Sequence, residues 1–283
     1  MPENTSFSEL NYTASGQTVS SWSGTTAGVG RIEADILRAN QEDRKLILIT
    51  GAAGKIGRGM AAMLRDRYRL RLMYHNTVLP AEDDEQVVIG DIGDLGSMRQ
   101  AVDGVDAVLH LAANAELETP WDLALRNNIV GSYNCYEACR QAGVPKVVFA
   151  STNHVAGYYE VVGELPVTPD MMVRPDCHYG ASKAFGEALG RYYSDAFGLS
   201  VICLRIGHYA RRPEVPRDLA AWLSPRDMAQ AAWRAIETEV KFGIYFTISN
   251  NKRRFWDISN AERELGFFPQ DNAEEYASEV ALA

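Results

Sequence analysis

Leu46-Ile47-Leu48-Ile49-Thr50-Gly51-Ala52-Ala53-Gly54-Lys55-Ile56-Gly57 decides the fold of this chain. Its opening apolar run ends in glycines, the pattern of a strand buried on both faces in a parallel sheet. The three glycines follow that strand and open a helix, and in that setting their spacing becomes a dinucleotide signal. Bare backbone can approach a pyrophosphate there, and the helix N-terminus behind it offers N–H groups and partial positive charge. Gly51, Gly54, Lys55, Ile56 and Gly57 are therefore candidate cofactor contacts.

Outward from this turn, strand patterns at Arg69 to Tyr74, Gln86 to Ile89, Ala107 to Leu111, Lys146 to Ser151 and Ser200 to Arg205 alternate with helical ones. The helices are expected at about Lys55 to Arg65, Leu95 to Val102, Trp121 to Ala142 and Tyr179 to Phe197. The alternation predicts an α/β fold, a Rossmann-type doubly wound parallel sheet with its ligand beyond the carboxyl ends of the strands. Past Arg205 come a Pro- and Arg-rich loop, a helix near Pro225 to Glu239, a strand at Gly243 to Ile248 and a helix within Asn260 to Leu265. These pieces are expected to form a small C-terminal substrate-capping lobe. The chain thus reads as an N-terminal extension over 1–44, partly disordered or an arm, followed by a single domain over 45–283. Its cofactor part covers about 45–205 and its substrate lobe mainly 206–283. Within the extension, Arg31 to Arg38 has the pattern of a short amphipathic helix.

The 283 residues are 46% hydrophobic and 23% charged, enough for one large core. A net charge of −9 leaves no broad basic face, which argues against nucleic acid as a partner. Cys135, Cys139, Cys177 and Cys203 are scattered without metal or redox spacing, so no metal site and a reducing, cytoplasmic setting are expected. No apolar run approaches the roughly 20 residues that span a bilayer. Met1-Pro2-Glu3-Asn4 lacks the basic start and apolar stretch of a signal peptide, so neither export nor a membrane is expected.

Tyr179-Gly180-Ala181-Ser182-Lys183 carries the chemistry. On a helix, Tyr179 and Lys183 share a face, and an ammonium near a phenol favours phenolate. Tyr179 is then a candidate general base for an alcohol proton, with a nicotinamide taking the hydride. The second strand ends in Tyr74-His75 rather than in the acidic residue that usually binds the adenosine ribose, so the cofactor is NAD or NADP. Asp91-Ile92 is placed to meet the adenine edge, and Leu111-Ala112-Ala113 to lie along the middle of the cofactor.

Together, the glycine turn, Asp91, His110-Leu111-Ala112-Ala113, Asn128, Tyr179 and Lys183 resemble the extended short-chain dehydrogenase/reductase (NAD-dependent epimerase/dehydratase) family over about Lys45 to Tyr276. Within it, four segments are most similar to the uronate dehydrogenases and related aldose or sugar-phosphate dehydrogenases. They are Ser151-Thr152-Asn153-His154 with Gly157-Tyr158-Tyr159, Arg174-Pro175-Asp176, Leu204-Arg205-Ile206-Gly207, and Leu265-Gly266-Phe267-Phe268-Pro269. The resemblance implies Thr152 as the hydroxyl opposite Tyr179, and Asn128, Ser151 and Ile206 as further cofactor contacts. It implies Asn114, Thr152, Asn153, His154, His208 and Arg217 as substrate contacts, with Arg217 gripping a carboxylate. His208 replaces a serine of the uronate enzymes, and Arg211-Arg212 add cationic charge nearby.

The implied activity is NAD(P)-dependent oxidation of the anomeric C1 hydroxyl of an anionic aldose, a uronate, sugar phosphate or sulfonated sugar, to its lactone. The alternatives are a nucleotide-sugar epimerase or dehydratase, which shares the Thr-Tyr-Lys set, and a non-catalytic dinucleotide-binding protein. The resemblance also implies a homo-oligomer, a dimer formed on the helices at Trp121 to Ala142 and Tyr179 to Phe197.

Overall fold

The computed structural model describes residues 43–82 and 84–280. The extension expected over 1–44, with its helix at Arg31 to Arg38, lies almost wholly outside the described residues.

The first strand, β1 (Leu46–Thr50), is buried along its whole length. β2 (Arg69–Tyr74), β3 (Gln86–Ile89), β4 (Ala107–His110), β5 (Lys146–Thr152) and β6 (Ser200–Ile206) follow in chain order. All pair in parallel, in the order β3-β2-β1-β4-β5-β6, so the strand order reverses beside β1 and opens a crevice between the β1 and β4 ends. On one face, α1 (Lys55–Leu64) covers an apolar layer built from Ile47, Ile49, Leu70, Leu72 and Leu109. On the other, α2 (Leu95–Val102) packs over Leu48, Met73 and Val108.

The helix expected over Trp121 to Ala142 is continuous, but its middle, Ala124–Val130, is π-helical. We call the whole α3. The wider turn falls where the buried Asn128 side chain bonds sideways to Asn114 and Ser182, a use of π-geometry common at functional sites. A short helix, α4 (Gly157–Val162), was not foreseen from the sequence pattern. α5 (His178–Phe197) starts at Cys177 and ends at Gly198 in the left-handed region.

Residues after 206 divide between two places. The strand expected near Gly243 to Ile248 is β9 (Phe242–Thr247), which pairs in parallel with β6 as the seventh strand of the sheet. The helix before it, α7 (Pro225–Glu237), lies over the same face as α1, capped by Ser224 and begun by Pro225. The remainder surrounds the site: the two-residue strands β7 (His208–Tyr209) and β8 (Trp222–Leu223) pair with each other around α6 (Asp218–Ala221). α8 (Ser259–Leu265), a 3-10 turn at Ala273–Tyr276 and α9 (Ala277–Val280) complete the described chain. Phe246, Ile248, Trp256 and Ile258 build a separate buried cluster under this region.

Candidate active site

Two cavities meet over the carboxyl ends of β1, β4 and β5, sharing Gly51, Gly54, Leu111 and Ala113. Gly51 has φ +68, and a Cβ there would stand 2.9 Å from the Ala112 backbone, so only glycine allows the turn to lie against the end of β4. The Thr50 hydroxyl locks this junction. It bonds His110 Nδ1 at 2.9 Å and accepts the Leu111 and Ala112 amides at 3.2 Å each. Behind the turn, α1 starts at Gly54 with no side-chain cap and no acidic residue in its first turn, leaving its N–H groups to the groove.

The first cavity, about 440 Å³, is lined by Tyr74, His75, Asp91, Ile92, Ala112 and Arg126, among others. Tyr74 is itself buried, so His75, Asn76 and Arg126 make the accessible rim. Burial would raise the Asp91 carboxyl, but the Gly93 amide and the Arg126 guanidinium together hold it below the usual range. Arg126, absent from the sequence expectations, pairs directly with Asp91.

The second cavity, about 610 Å³, brings together Lys55, Ile56, Gly57, Ser151, Thr152, Asn153, His154, Tyr179, Lys183, Ile206, His208 and Arg217. Parallel β5 and β6 end side by side and bring Thr152 and Ile206 to the same rim, although they stand far apart in sequence. Two expected residues lie elsewhere. Asn128 and Asn114 line neither cavity. The Asn128 amide donates to the Asn114 carbonyl and the Ser182 hydroxyl at 2.9 Å each and accepts the Asn114 amide at 2.8 Å. The Asn114 side chain accepts from Thr119 at 2.9 Å and closes its own loop. Both residues position the site from behind. Ser151 lines the cavity, but its hydroxyl donates to Glu187 at 2.5 Å.

Tyr179 and Lys183 do share a face of α5, with an outcome opposite to the sequence expectation. Burial dominates and pushes the Tyr179 hydroxyl up to about 12, opposed by the neighbouring Thr152 hydroxyl. The Lys183 ammonium lies 6.0 Å from the Tyr179 ring centroid and 4.7 Å from that of Phe149, and it is not what sets the phenol. Its own value is lowered by burial to about 8.

Carboxylates stand behind each cationic or imidazole group at the substrate end. His154 Nδ1 donates to Asp176 at 2.8 Å, and His208 Nδ1 to Asp218 at 2.7 Å. A neutral imidazole so held keeps Nε2 as an acceptor for a hydroxyl. Gly157 makes the first pair possible, since a Cβ there would meet the Asp176 carboxylate at 2.2 Å. Asp218 is buried and held below its usual range by His208 and the Glu214 and Val215 amides, which together outweigh its desolvation. Arg217 is gripped through Nε and Nη2 by Glu160 at 2.6 and 2.7 Å. With the Asn153 amide turned so that its nitrogen faces the Ile206 carbonyl at 3.0 Å, its oxygen accepts from Arg217 Nη2 at 2.9 Å. Arg211 and Arg212 do not join this cluster, because they are exposed and Arg212 turns to Glu279 at 3.5 Å.

Glu160, Asp176 and Asp218 were missed as site residues from sequence, although Asp176 ends a segment singled out there and Asp218 follows Arg217. His154, Asp176 and Cys177 bring potential ligand atoms within 4.8 Å of one another. Asp176 is engaged by His154, however, and Cys177 Sγ accepts the Gly180 amide as the cap of α5.

The residues fit a bound dinucleotide on three structural grounds: the uncapped α1 N-terminus, the glycine turn, and a groove continuous from His75 to Tyr179. Comparison with known proteins agrees. The chain is 37% identical over 254 residues to an NAD-dependent glucose-6-phosphate dehydrogenase of Haloferax volcanii, covering 82% of this chain and 96% of that protein. It is 35% identical over 252 residues to an L-arabinose 1-dehydrogenase (NAD(P)(+)) of the same organism, covering 80% and 97%. A mutant uronate dehydrogenase of Agrobacterium tumefaciens complexed with NAD superposes with a TM-score of 0.80 at 36% identity, over 84% of this chain and 89% of that one. Residues 47–220 match the NAD dependent epimerase/dehydratase family, and the chain belongs to that family.

Proposed function

We propose that this protein is an NAD(P)-dependent dehydrogenase that oxidises the C1 hydroxyl of an anionic aldose to its lactone. The observation that carries the reading is the meeting of Tyr179 and Thr152 with His154, His208 and Arg217 in the cavity that continues to the glycine turn. The bound cofactor supplies the acceptor for the hydride that leaves C1. Tyr179 takes the hydroxyl proton as phenolate, a form that the cationic ring of the bound cofactor would favour against the burial that holds the phenol up, while the C1–O bond becomes a carbonyl and Thr152 holds the same oxygen through a hydrogen bond. Lys183 holds a positive charge beside the cofactor end of the cavity. His154 and His208, fixed by Asp176 and Asp218, accept ring hydroxyls, and Arg217 serves the anionic group. The lactone then opens with water.

Relatives named for glucose 6-phosphate, uronate and L-arabinose support an aldose substrate and C1 chemistry. The outer faces of α3 and α5 expose Leu125, Tyr133, Phe185 and Tyr192, which supports a homodimer built on these helices. Four unbridged cysteines suit a reducing, cytoplasmic setting. Among the described residues, no helix is long and apolar enough to cross a membrane. The test is nicotinamide reduction by the purified protein with NAD and with NADP, across glucuronate, galacturonate, glucose 6-phosphate, a sulfonated glucose and neutral aldoses. Turnover favouring the anionic sugars is expected; cofactor binding without turnover of any aldose would refute the reading.

A further inference from the structure

The guanidinium that would serve the substrate's anion already holds one. Glu160 projects from α4 and takes Arg217 through two parallel hydrogen bonds, with side chains 22% and 36% exposed respectively. Arg217 is also held over Trp256, 5.5 Å from its ring centroid, and is tied to Asn153, so the arginine is anchored and the glutamate is the replaceable partner. We propose that Glu160 is a specificity-determining residue, an internal competitor for Arg217 that weakens an anionic aldose relative to a neutral one, a phosphate dianion at least as much as a uronate.

The argument is one of exchange, and it rests on the dehydrogenase reading above. A sugar carboxylate that displaces Glu160 trades one bidentate carboxylate contact for another and leaves a second carboxylate close by. The trade gains little, and the repulsion opposes it. A phosphate dianion binds the guanidinium more strongly, but it must break the same pair and is repelled more by the freed carboxylate, so Glu160 costs it at least as much. The other candidate anion seats do not offset this, because His154 and His208 each face an aspartate carboxylate that already balances a charge on the ring.

The experiment compares wild type, Glu160→Gln and Glu160→Asp, with glucuronate and glucose 6-phosphate as probes and L-arabinose as neutral reference. In Glu160→Gln, kcat/KM for glucuronate relative to L-arabinose should rise by up to about fivefold through KM, the size of one partly exposed ion pair. Glucose 6-phosphate should gain at least as much, so that the preference for anionic over neutral sugars rises. Glu160→Asp, whose shorter carboxylate keeps the charge and loses the reach, should fall between. An unchanged anion-to-neutral preference, or an equal change for all three sugars, would overturn the proposal.

Calorimetric titration of glucuronate into the cofactor-loaded proteins separates the two levels of the claim. Tighter glucuronate binding by Glu160→Gln without turnover of any sugar would support the competitor and refute the dehydrogenase. Turnover by every protein with identical glucuronate affinities would do the reverse, and no glucuronate binding by any of them would overturn the competitor.

Discussion

Burial at Lys183 costs stability that the site needs for chemistry. Its ammonium has a folded value of about 8 against an ordinary 10.5, so between those values the unfolded chain binds more protons than the folded one. Stability from this residue therefore rises as pH climbs from 8 toward 10.5, and the burden is largest below 8. Lys183→Met keeps the stem and removes the charge. It is expected to stabilise the fold at pH 7 by about 2–3 kcal/mol, with the advantage gone by about pH 10.5, while turnover is lost. Denaturant titrations at several pH values would show it, and a Met variant no more stable than wild type at pH 7 would contradict the account. Tyr179→Phe separates chemistry from binding in the same cavity. Cofactor binding should persist while kcat falls by about 10²–10⁴-fold, and substantial residual turnover would remove Tyr179 from the role of base.

Elements behind the rim hold these side chains in place. The buried Glu187 on α5 receives Arg205 of β6 through two hydrogen bonds of 2.9 Å and also the Ser151 hydroxyl of β5. One carboxylate thus joins the helix that carries Tyr179 to the strand that carries Thr152. Glu187→Gln leaves a buried guanidinium without its counter-charge and is expected to cost about 3–5 kcal/mol. Glu187→Leu combined with Arg205→Met should recover most of that stability by replacing the pair with apolar volume. Equal loss in single and double variants would refute the pair's role.

This element scale also shows what the sequence could reveal. β1, the glycine turn and α5 were legible because burial on both faces, bare backbone and an i, i+4 pair leave local marks. Phe242–Thr247 was legible as a strand, but not as a partner of β6, since sheet order depends on nonlocal pairing. Asn128 was recognised as important, yet its inward bonds to Asn114 and Ser182 arise from a π-turn that apolar periodicity does not report. Glu160 was invisible as a site residue because its α4 helix is too short to show a period, and its partner lies 57 positions away.

For the whole molecule, the remaining question is what covers α3 and α5. The two helices lie side by side over one face of the sheet, and their inner surfaces bury Cys135, Tyr136, Cys139 and Tyr193 in its core. Their outer surfaces expose Leu125 and Tyr133 on one, Phe185 and Tyr192 on the other, the last pair seven residues apart and so on one side of α5. α5 alone has 20 residues and spans about 30 Å, so a paired-helix face can bury the roughly 800 Å² per partner that a stable interface needs. A twofold partner would present the same face, giving a four-helix arrangement in which each apolar stripe meets its own copy. The face also lies against the catalytic segment, since Tyr179 begins the helix whose middle carries Phe185. Dimerisation would therefore brace the site as well as cover the stripe. Sedimentation at micromolar concentration should give a dimer, and Phe185→Glu with Tyr192→Glu should give a monomer with a lower Tm and reduced kcat, because buried like charges oppose the pairing. A wild-type protein that sediments as a monomer, or a double variant that remains dimeric, would place the interface elsewhere.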